Sequence, residues 1–361
     1  MTGPKRVLLV VLLFAVGAPT VRADSGKETP QDFEDAWKAR DYRKAFDVSK
    51  DLAESGDLWA QHTLGCLYLG GVGVERDYGK AERWFREAAT HGSGEAQNAL
   101  GEMYFNGLGV KKSDAEAVEW YRKAAAQGDA GGQNNLGAMY ATGSGVSKDA
   151  EEAARWVTKA AEQGYAKAQK NLGMMYLSGE GVPKDGAEAI RWFRLSADQG
   201  NASAQDMLCK IYRDPTYGAA LGIPEGDAEK LAWYRAAAEK GDGPAQTLLG
   251  FVCQNGLLGT PKDGPEAVRW WRKAAEQGFT HSLLLLVNAY GKGLPGVPVD
   301  NVEVVKWATL LAARGDEVGG QVAEAYEKEM SREEVEKAHA DAQAWMDTFP
   351  AIFVPSFDPW R

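Results

Sequence analysis

One phrase recurs along this chain at a fixed interval. Trp84, Trp120, Trp156 and Trp192 are spaced 36 residues apart, and each begins the pattern W-[FYV]-x-x-[AS]-A-x-x-G. A fixed period indicates one supersecondary unit that is copied so that neighbouring copies bury each other's apolar faces. We therefore expect a repeat array whose function lies in an extended surface rather than in one pocket.

The residues before each tryptophan repeat as well, and they predict a second helix. Ala96, Leu100 and Tyr104 stand at i, i+4 and i+8, on one face of a helix that Gly107 ends. Another helix follows over residues 114–128. Each unit is predicted to be an antiparallel pair, helix A and then helix B, with the tryptophan packed between its own helix A and the next repeat.

The register predicts seven full repeats over residues 57–315. An insertion in repeat five, 214–226, contains prolines and glycines that predict a loop. Degenerate helix pairs at 24–56 and 316–346 are expected to cap the array, because terminal repeats need a soluble outer face. The remaining residues, 347–361, are rich in proline and aromatic residues, which predicts an extended tail that either covers the last repeat or binds a partner.

The assembled pattern resembles the Sel1-like repeat family, relatives of the tetratricopeptide repeats. The segment L-G-x2-Y-x2-G-x-G-V, followed by W-[FYV]-x-x-A-A-x-x-G, carries this resemblance over residues 57–315. Cys209, Cys253 and Val287 are local departures from it. The resemblance implies an all-α fold, a right-handed α/α superhelical solenoid, and a role as an adaptor in larger assemblies.

The first 23 residues have the pattern of a secretory signal peptide. Lys5 and Arg6 precede the apolar stretch 7–18, and Val21-Arg22-Ala23 offers a cleavage site. The apolar stretch is too short to span a bilayer, although an uncleaved anchor is the alternative. We expect an exported protein, periplasmic or secreted, with no transmembrane segment after cleavage.

The charge of the chain disfavours two classes of ligand. The net charge is −10, and the predicted signal peptide contains basic but no acidic residues, so the mature chain is more acidic still. Nucleic acid and anionic lipid bind basic surfaces. A nucleic-acid partner is therefore not expected.

The sequence contains no pattern typical of catalysis or of metal binding. The four histidines have no second ligand at helical spacing, and there is no G-x-S-x-G motif. We expect no enzyme activity, cofactor or metal. A cysteine-rich branch of the family resembles penicillin-binding proteins in activity and remains an alternative, although its disulfide in nearly every repeat is missing here. The sequence does not decide whether Cys209 and Cys253 form a disulfide.

Helix A is expected to line a binding groove. In the related tetratricopeptide units, positions around the conserved leucine face the concave side, and their register carries over to this chain. The groove candidates are Asn98, Glu102, Phe105, Asn134, Lys167, Lys170, Met174, Asp206, Lys210, Arg213 and Phe251. Among them, the amides of Asn98 and Asn134 can donate to and accept from an extended peptide backbone.

Four of these candidates are cations in an otherwise acidic chain. They belong to repeats four and five, and they are Lys167, Lys170, Lys210 and Arg213. Such a group would seat an acidic segment or a C-terminal carboxylate of a partner. The alternative is ordinary solvation, since charged helix faces are usually solvent-exposed.

These observations predict a non-enzymatic scaffold in the bacterial cell envelope that binds a protein partner along the groove. An assembly factor for polysaccharide export or for the cell wall, with a glycan as partner, is the second alternative.

Overall fold

The computed structural model describes residues 28–214, 217 and 222–349, and within them every regular element is an α-helix. The helices are α1 (Pro30–Lys38), α2 (Tyr42–Glu54), α3 (Leu58–Gly70), α4 (Tyr78–Thr90), α5 (Gly94–Asn106), α6 (Asp114–Ala126), α7 (Ala130–Thr142), α8 (Ala150–Glu162), α9 (Ala166–Ser178), α10 (Gly186–Asp198), α11 (Ala202–Arg213), α12 (Asp227–Glu239), α13 (Gly243–Asn255), α14 (Gly264–Ala275), α15 (Thr280–Lys292), α16 (Asn301–Ala313), α17 (Glu317–Glu327) and α18 (Arg332–Thr348). The predicted all-α array of helix pairs is confirmed.

Helix A and helix B alternate along the chain. The A helices of repeats one to seven are α3, α5, α7, α9, α11, α13 and α15, and the helix after each is its B helix. The pairs α1–α2 and α17–α18 flank them. The predicted signal peptide lies outside the described residues, as does part of the predicted loop in repeat five.

Short polar residues and glycines determine where the helices begin and end. The Ser93 hydroxyl accepts a hydrogen bond from the Ala96 amide at 3.2 Å and so begins α5. Gly107 ends this helix in the left-handed conformation, with φ of 73°, which other residues adopt at a cost. Ser113 then caps α6 in the same way as Ser93 caps α5.

A glycine on helix A allows an aromatic ring from helix B of the same repeat to pack against the backbone. A Cβ atom on Gly101 would lie 2.5 Å from the ring of Tyr121, and one on Gly65 would lie 2.6 Å from the ring of Phe85. Both rings are buried. Each belongs to the residue after the repeat tryptophan, so this residue fills the space between helix A and helix B.

The predicted direction of the tryptophan packing is wrong. Trp120 is half-buried and packs against the apolar cluster of α1 to α5, most of which precedes its own repeat. The guanidinium of Arg86, on the preceding B helix, lies 5.8 Å from the Trp120 ring centroid. Since successive residues of a helix point about 100° apart, the residue that follows the tryptophan takes the buried position in repeats one, two, three and five. In repeats four, six and seven the tryptophan is buried as well, as Trp192, Trp270 and Trp307.

Arginines two residues after the tryptophan join consecutive repeats. Arg86 donates a hydrogen bond to the Tyr104 hydroxyl at 3.0 Å, and Arg272 donates to the Tyr290 hydroxyl at 2.7 Å. The same contact joins Arg122 to Tyr140 and Arg194 to Tyr212. Each pair connects a B helix to the next A helix, which is the type of interface that stabilises a solenoid.

The described residues pack as two compact units. Unit one comprises 28–168 with 180–182, and unit two comprises 169–179 with 183–349. The main apolar cluster of unit one extends from Phe33 to Met103, and that of unit two from Ala189 to Ala342.

The end of the C-terminal helix corrects one predicted boundary. The expected capping box between Ser331 and Glu334 begins α18, but the helix continues to Thr348, so residues 347 and 348 are not extended. The Thr348 hydroxyl donates a hydrogen bond to the Ala344 carbonyl at 2.8 Å. This carbonyl lies four residues earlier, which is the spacing of hydrogen bonds within an α-helix. Residues 350–361 of the predicted tail lie outside the described residues.

The disulfide that the sequence left open is absent. Cys209 and Cys253 are buried free thiols. Burial raises the pKa of the Cys209 thiol to about 12, so the group stays protonated and behaves as a small apolar side chain.

Candidate functional site

Most of the predicted groove positions lie on the exposed side of the A helices, which we call the A face. Each unit has its own A face. Four large apolar side chains are exposed there, at 36% for Phe105, 42% for Met174, 36% for Phe251 and 37% for Leu284. Exposed apolar side chains that share a surface are typical of protein interaction sites.

In unit one, the A face contains a hydrogen-bonded group of amides around one carboxylate. The Asn135 amide donates to Asn98 Oδ1 at 2.9 Å and to Glu102 Oε1 at 3.0 Å. Asn98 donates to the same Glu102 oxygen at 3.3 Å. These half-buried groups join α5 to α7, so the protein itself fixes their positions.

Asn134 is not open on this face, which corrects the prediction. Its side chain is buried, and its Nδ2 lies 3.4 Å from Asn135 Oδ1. Asn134 holds the same register position as Asn98, 36 residues earlier, but only Asn98 is half-buried. The side chain of the next residue, Asn135, points about 100° away from that of Asn134 and contacts Asn98 on the preceding A helix.

Phe105 lies at the C-terminal end of α5, where its ring is partly exposed. The Lys112 ammonium lies 5.4 Å from the ring centroid, which is within the range of a cation–π contact. The ring thus offers an apolar surface beside a positive charge at the edge of the A face.

The rest of the A face of unit one is acidic. Helices α3, α5 and α7 contain Glu95 and Glu102 but no lysine or arginine. Burial raises the pKa of Asp129 to about 6, although the hydrogen bond from the Gly132 amide opposes this, and the charge of Glu95 adds to the increase. Burial lowers the pKa of His62, whose Nδ1 lies 3.7 Å from Glu95.

The predicted group of four cations is divided between the two units. Lys167 belongs to unit one, whereas Lys170, Lys210 and Arg213 belong to unit two. Met174 lies on α9 with Lys170. Lys210 and Arg213 both lie on α11, which packs against two further A helices, α13 and α15.

At its N-terminal end, α11 is joined to the turn before α15. Gln205 Nε2 donates to the Gly278 carbonyl at 3.0 Å, and Gln205 Oε1 accepts from the Thr280 amide at 3.1 Å. Helix α11 therefore packs against α15 as well as α13, although α15 lies two repeats further along the chain. No local pattern in the sequence predicts this contact.

Arg314 supports the same junction. Its Nη2 donates to the Gly200 carbonyl at 2.9 Å and lies 3.3 Å from the Gly278 carbonyl. Both carbonyls belong to turns that follow B helices, where the helix dipole favours a cation. The turns after α10 and α14 are thereby held beside the end of α16.

The A face of unit two is closed at one end and exposed at the other. Residues 243–250, the first two turns of α13, are all buried, and the Thr247 hydroxyl lies 2.9 Å from the Ser282 hydroxyl. Phe251, the next residue, is exposed. Lys210 and Arg213, on α11, are exposed as well, one and two turns beyond the Gln205 junction.

The exposed end of this face is basic and apolar. The only carboxylate residue on α11, α13 and α15 is Asp206, one turn before Lys210, and Asp214 follows Arg213 as the C-cap residue of α11. Lys210 and Arg213 form no ion pair with another described residue, and Arg213 Nε donates to the Cys209 carbonyl at 3.3 Å. This end can therefore attract acidic groups.

A column of buried glutamines was missed, although the sequence contains its signal. The glutamine three residues before the conserved leucine of helix A recurs in six repeats, as Gln61, Gln97, Gln133, Gln169, Gln205 and Gln246. Gln246 Nε2, for example, donates to the Ala238 carbonyl at the end of the preceding B helix, at 3.0 Å. The regular recurrence of this glutamine predicts a structural role. In repeat five, Gln205 also forms the junction with the turn before α15.

Among the described residues, no group of three histidine, cysteine or acidic side chains is arranged to hold a metal ion. No helix in the same residues is both long and apolar enough to cross a membrane.

The repeat units of this chain match a known family. The Sel1 repeat profile matches residues 60–93, 94–129, 130–165, 166–201, 217–242, 243–279 and 288–316. The chain belongs to the Sel1 repeat family. Sel1 repeats generally bind protein partners, and proteins built from them are generally non-enzymatic scaffolds.

Solved structures of other Sel1 repeat proteins are similar to this chain. A Sel1 repeat protein from Oxalobacter formigenes is 31% identical, with a TM-score of 0.49, over 70% of this chain and 97% of that one. A protective antigen of uropathogenic Escherichia coli is 30% identical, with a TM-score of 0.43, over 90% of this chain and 78% of that one. An immunity protein from Pseudomonas aeruginosa is 24% identical, with a TM-score of 0.42, over 60% of this chain and 84% of that one. No curated protein matches the chain significantly.

Proposed function

We propose that this Sel1 repeat protein is a non-enzymatic scaffold of the bacterial cell envelope, which binds extended segments of partner proteins along its A faces. The general role of the family in protein binding supports the scaffold class. The position of the site on this chain rests on its own exposed residues.

The observation that carries the proposal is the exposure of large apolar side chains on the A face. Phe105, Met174, Phe251 and Leu284 are four of the ten large apolar residues exposed in the described part of the chain. Exposing such side chains to water is unfavourable, and binding a partner would remove them from it. Interface hot spots are enriched in aromatic residues, which favours Phe105 and Phe251 as anchors.

Export rests on the sequence alone. The basic start, the apolar stretch and the small residues before Asp24 are together typical of a cleaved signal peptide. Mass spectrometry of the native protein should then find a mature N-terminus near Asp24. Recovery of peptides from residues 2–20 in the native protein would contradict export by cleavage.

A glycan partner is the second candidate, because the exposed Phe105 and Phe251 rings can stack on sugars as well as on peptides. Binding of labelled cell-wall glycan to the purified protein, lost on Phe251→Ser, would support this candidate over a protein partner.

Capture of envelope proteins tests the proposed scaffold role. The tagged wild-type protein should retain a set of partners that the Phe105→Ser, Phe251→Ser double variant loses. Leu195→Ser is the matched control, because Leu195 is exposed at 39% on a B helix, α10. Equal loss of partners from the control, or no loss from the double variant, would contradict binding along the A faces.

A further inference from the structure

The A face of unit two differs from that of unit one in both shape and charge. The Gln205 junction and Arg314 close one end of it, as described above. At the other end, Phe251 is exposed on α13, and Leu284 is exposed on α15 one turn beyond Thr280. A segment that lies along this face is thus stopped at the closed end and has apolar contacts at the open end.

The charges on the three helices select among possible partners. Lys210 and Arg213 on α11 are both exposed, and Lys292 lies at the C-terminal end of α15. Asp206 is the only acidic residue on α11, α13 and α15, whereas the chain as a whole has 51 acidic and 41 basic residues. A basic segment would be repelled here, and an acidic one would be attracted.

The two cations are available for a partner because other described side chains do not neutralise them. Most exposed arginines in the described part of the chain are paired, such as Arg191 with Glu188 at 2.9 Å and Arg269 with Glu266. Lys210 and Arg213 have no carboxylate within ion-pair distance in the described part of the chain. Their charge is therefore directed to solvent or to a ligand.

We infer that the open end of the A face of unit two binds an acidic, extended segment of a partner protein that also contains apolar side chains. Lys210 and Arg213 contact its carboxylates, and Phe251 and Leu284 contact its apolar side chains. This inference rests on the proposed scaffold function and adds the chemistry of the partner. It assigns no role to the A face of unit one, which is acidic.

Three labelled ten-residue peptides test the inference on the full mature chain. The first alternates Glu with Leu, the second alternates Lys with Leu, and the third alternates Glu with Ser. Fluorescence anisotropy should show that the Glu–Leu peptide binds at least about tenfold more tightly than either of the others, because it alone supplies both kinds of contact. Its affinity should decrease as salt is raised, since exposed charges are screened beyond about 8 Å at physiological ionic strength.

Charge-reversed variants locate the binding site. Lys210→Glu with Arg213→Glu should weaken binding of the Glu–Leu peptide by about tenfold or more, and Phe251→Ser should weaken it as well. The matched control is Lys240→Glu with Lys337→Glu, which makes the same change in net charge at two exposed positions off the A face and should leave the affinity within about twofold. Circular dichroism should be unchanged in all variants, because exposed substitutions usually have little effect on stability.

Two results would overturn the inference and leave the proposed function standing. One is equal binding of the Glu–Leu and Lys–Leu peptides that Phe251→Ser abolishes, since the A face would then bind without regard to charge. The other is an equal loss of affinity in the charge-reversed variant and in its control. Tight binding of the Glu–Leu peptide that survives both the charge reversal and Phe251→Ser would contradict the site itself and, with it, the proposed function in unit two.

Discussion

Arg314 donates a hydrogen bond to the carbonyl of Gly200, which lies 114 residues earlier in the chain, at 2.9 Å. The same nitrogen lies 3.3 Å from the Gly278 carbonyl. Contacts between neighbouring repeats dominate a simple solenoid, in which stability is a sum of adjacent interfaces. Here one side chain links the turns of repeats four, six and seven, so unit two has a contact that the repeat pattern alone does not supply.

Loss of this contact should destabilise the protein. Arg314→Met removes hydrogen bonds from a charged donor, and such bonds contribute about 1.5 to 3 kcal/mol each. We expect a lower urea midpoint for the unfolding of unit two. Arg191→Met is the control, because Arg191 is exposed on α10 and its contacts, with Glu188 and the Trp192 ring, lie within that helix. Equal midpoints for the two variants would mean that Arg314 does not stabilise the junction.

The packing of the tryptophans predicts that two adjacent aromatic residues of α4, Trp84 and Phe85, contribute differently to stability. Phe85 is fully buried against Gly65, whereas Trp84 is half-buried. Phe85→Ala should cost about 3 to 5 kcal/mol in the free energy of unfolding, as large aromatic deletions in cores do. Trp84→Ala should cost less, because part of the indole is already in water. Chemical denaturation measures the free energy of unfolding of both variants. A larger loss for Trp84→Ala than for Phe85→Ala would show that the tryptophan is the main core residue of the repeat.

The half-buried N-cap residue Asp129 predicts a dependence of stability on pH. Its folded pKa, about 6, is above the unfolded value of about 3.9, so the folded state binds the proton more tightly. The stability that this proton contributes is fully present below about pH 4 and is lost as pH rises through 6. Asp129→Asn keeps a capping side chain without the charge, and it should be more stable than the wild type at pH 7 by on the order of 2 kcal/mol.

Thermal unfolding at pH 4.5 and pH 7.5 measures this difference. The gap between Asp129→Asn and the wild type should widen at the higher pH. Asp149→Asn, at the exposed N-cap of α8, is the control and should show a smaller change. A gap that is constant between the two pH values would show that Asp129 is not titrating in this range.

The junction between α11 and α15 predicts a local change in amide exchange. The Thr280 amide donates to Gln205 Oε1, and Gln205→Leu would leave this amide without its acceptor. Hydrogen–deuterium exchange should accelerate in the peptide that contains residues 278–283. Gln254→Leu, a half-buried glutamine on α13, is the control. Unchanged exchange at 278–283 would indicate that the junction does not depend on Gln205.

The period of the sequence was enough to predict the helix pairs. The residue types found at Leu100, Gly107 and Trp120 recur from repeat to repeat, and each has a local role: the leucine and the tryptophan belong to apolar helix faces, and the glycine ends helix A. The identity of the buried ring was not predicted, because both Trp120 and Tyr121 are large aromatic residues and a period does not say which one faces the core. Asn135 was missed because the register of a single helix predicts that Asn98 lies on the A face but not which side chain of the next A helix contacts it. The contacts of Gln205 and Arg314 depend on how non-adjacent repeats approach each other, which no local pattern encodes.

Site-specific photo-cross-linking tests the account most directly. A photo-reactive benzoylphenylalanine placed at residue 251, on the A face, should cross-link partner proteins in intact cell envelopes, whereas the same group at residue 195, on a B helix, should not. The two native side chains are similarly exposed, at 36% and 39%, so accessibility alone would label both positions equally. Cross-links at position 251 that are absent at position 195 are the predicted result. Equal labelling at the two positions, or labelling at position 195 alone, would contradict the claim that this protein binds its partners along the A face.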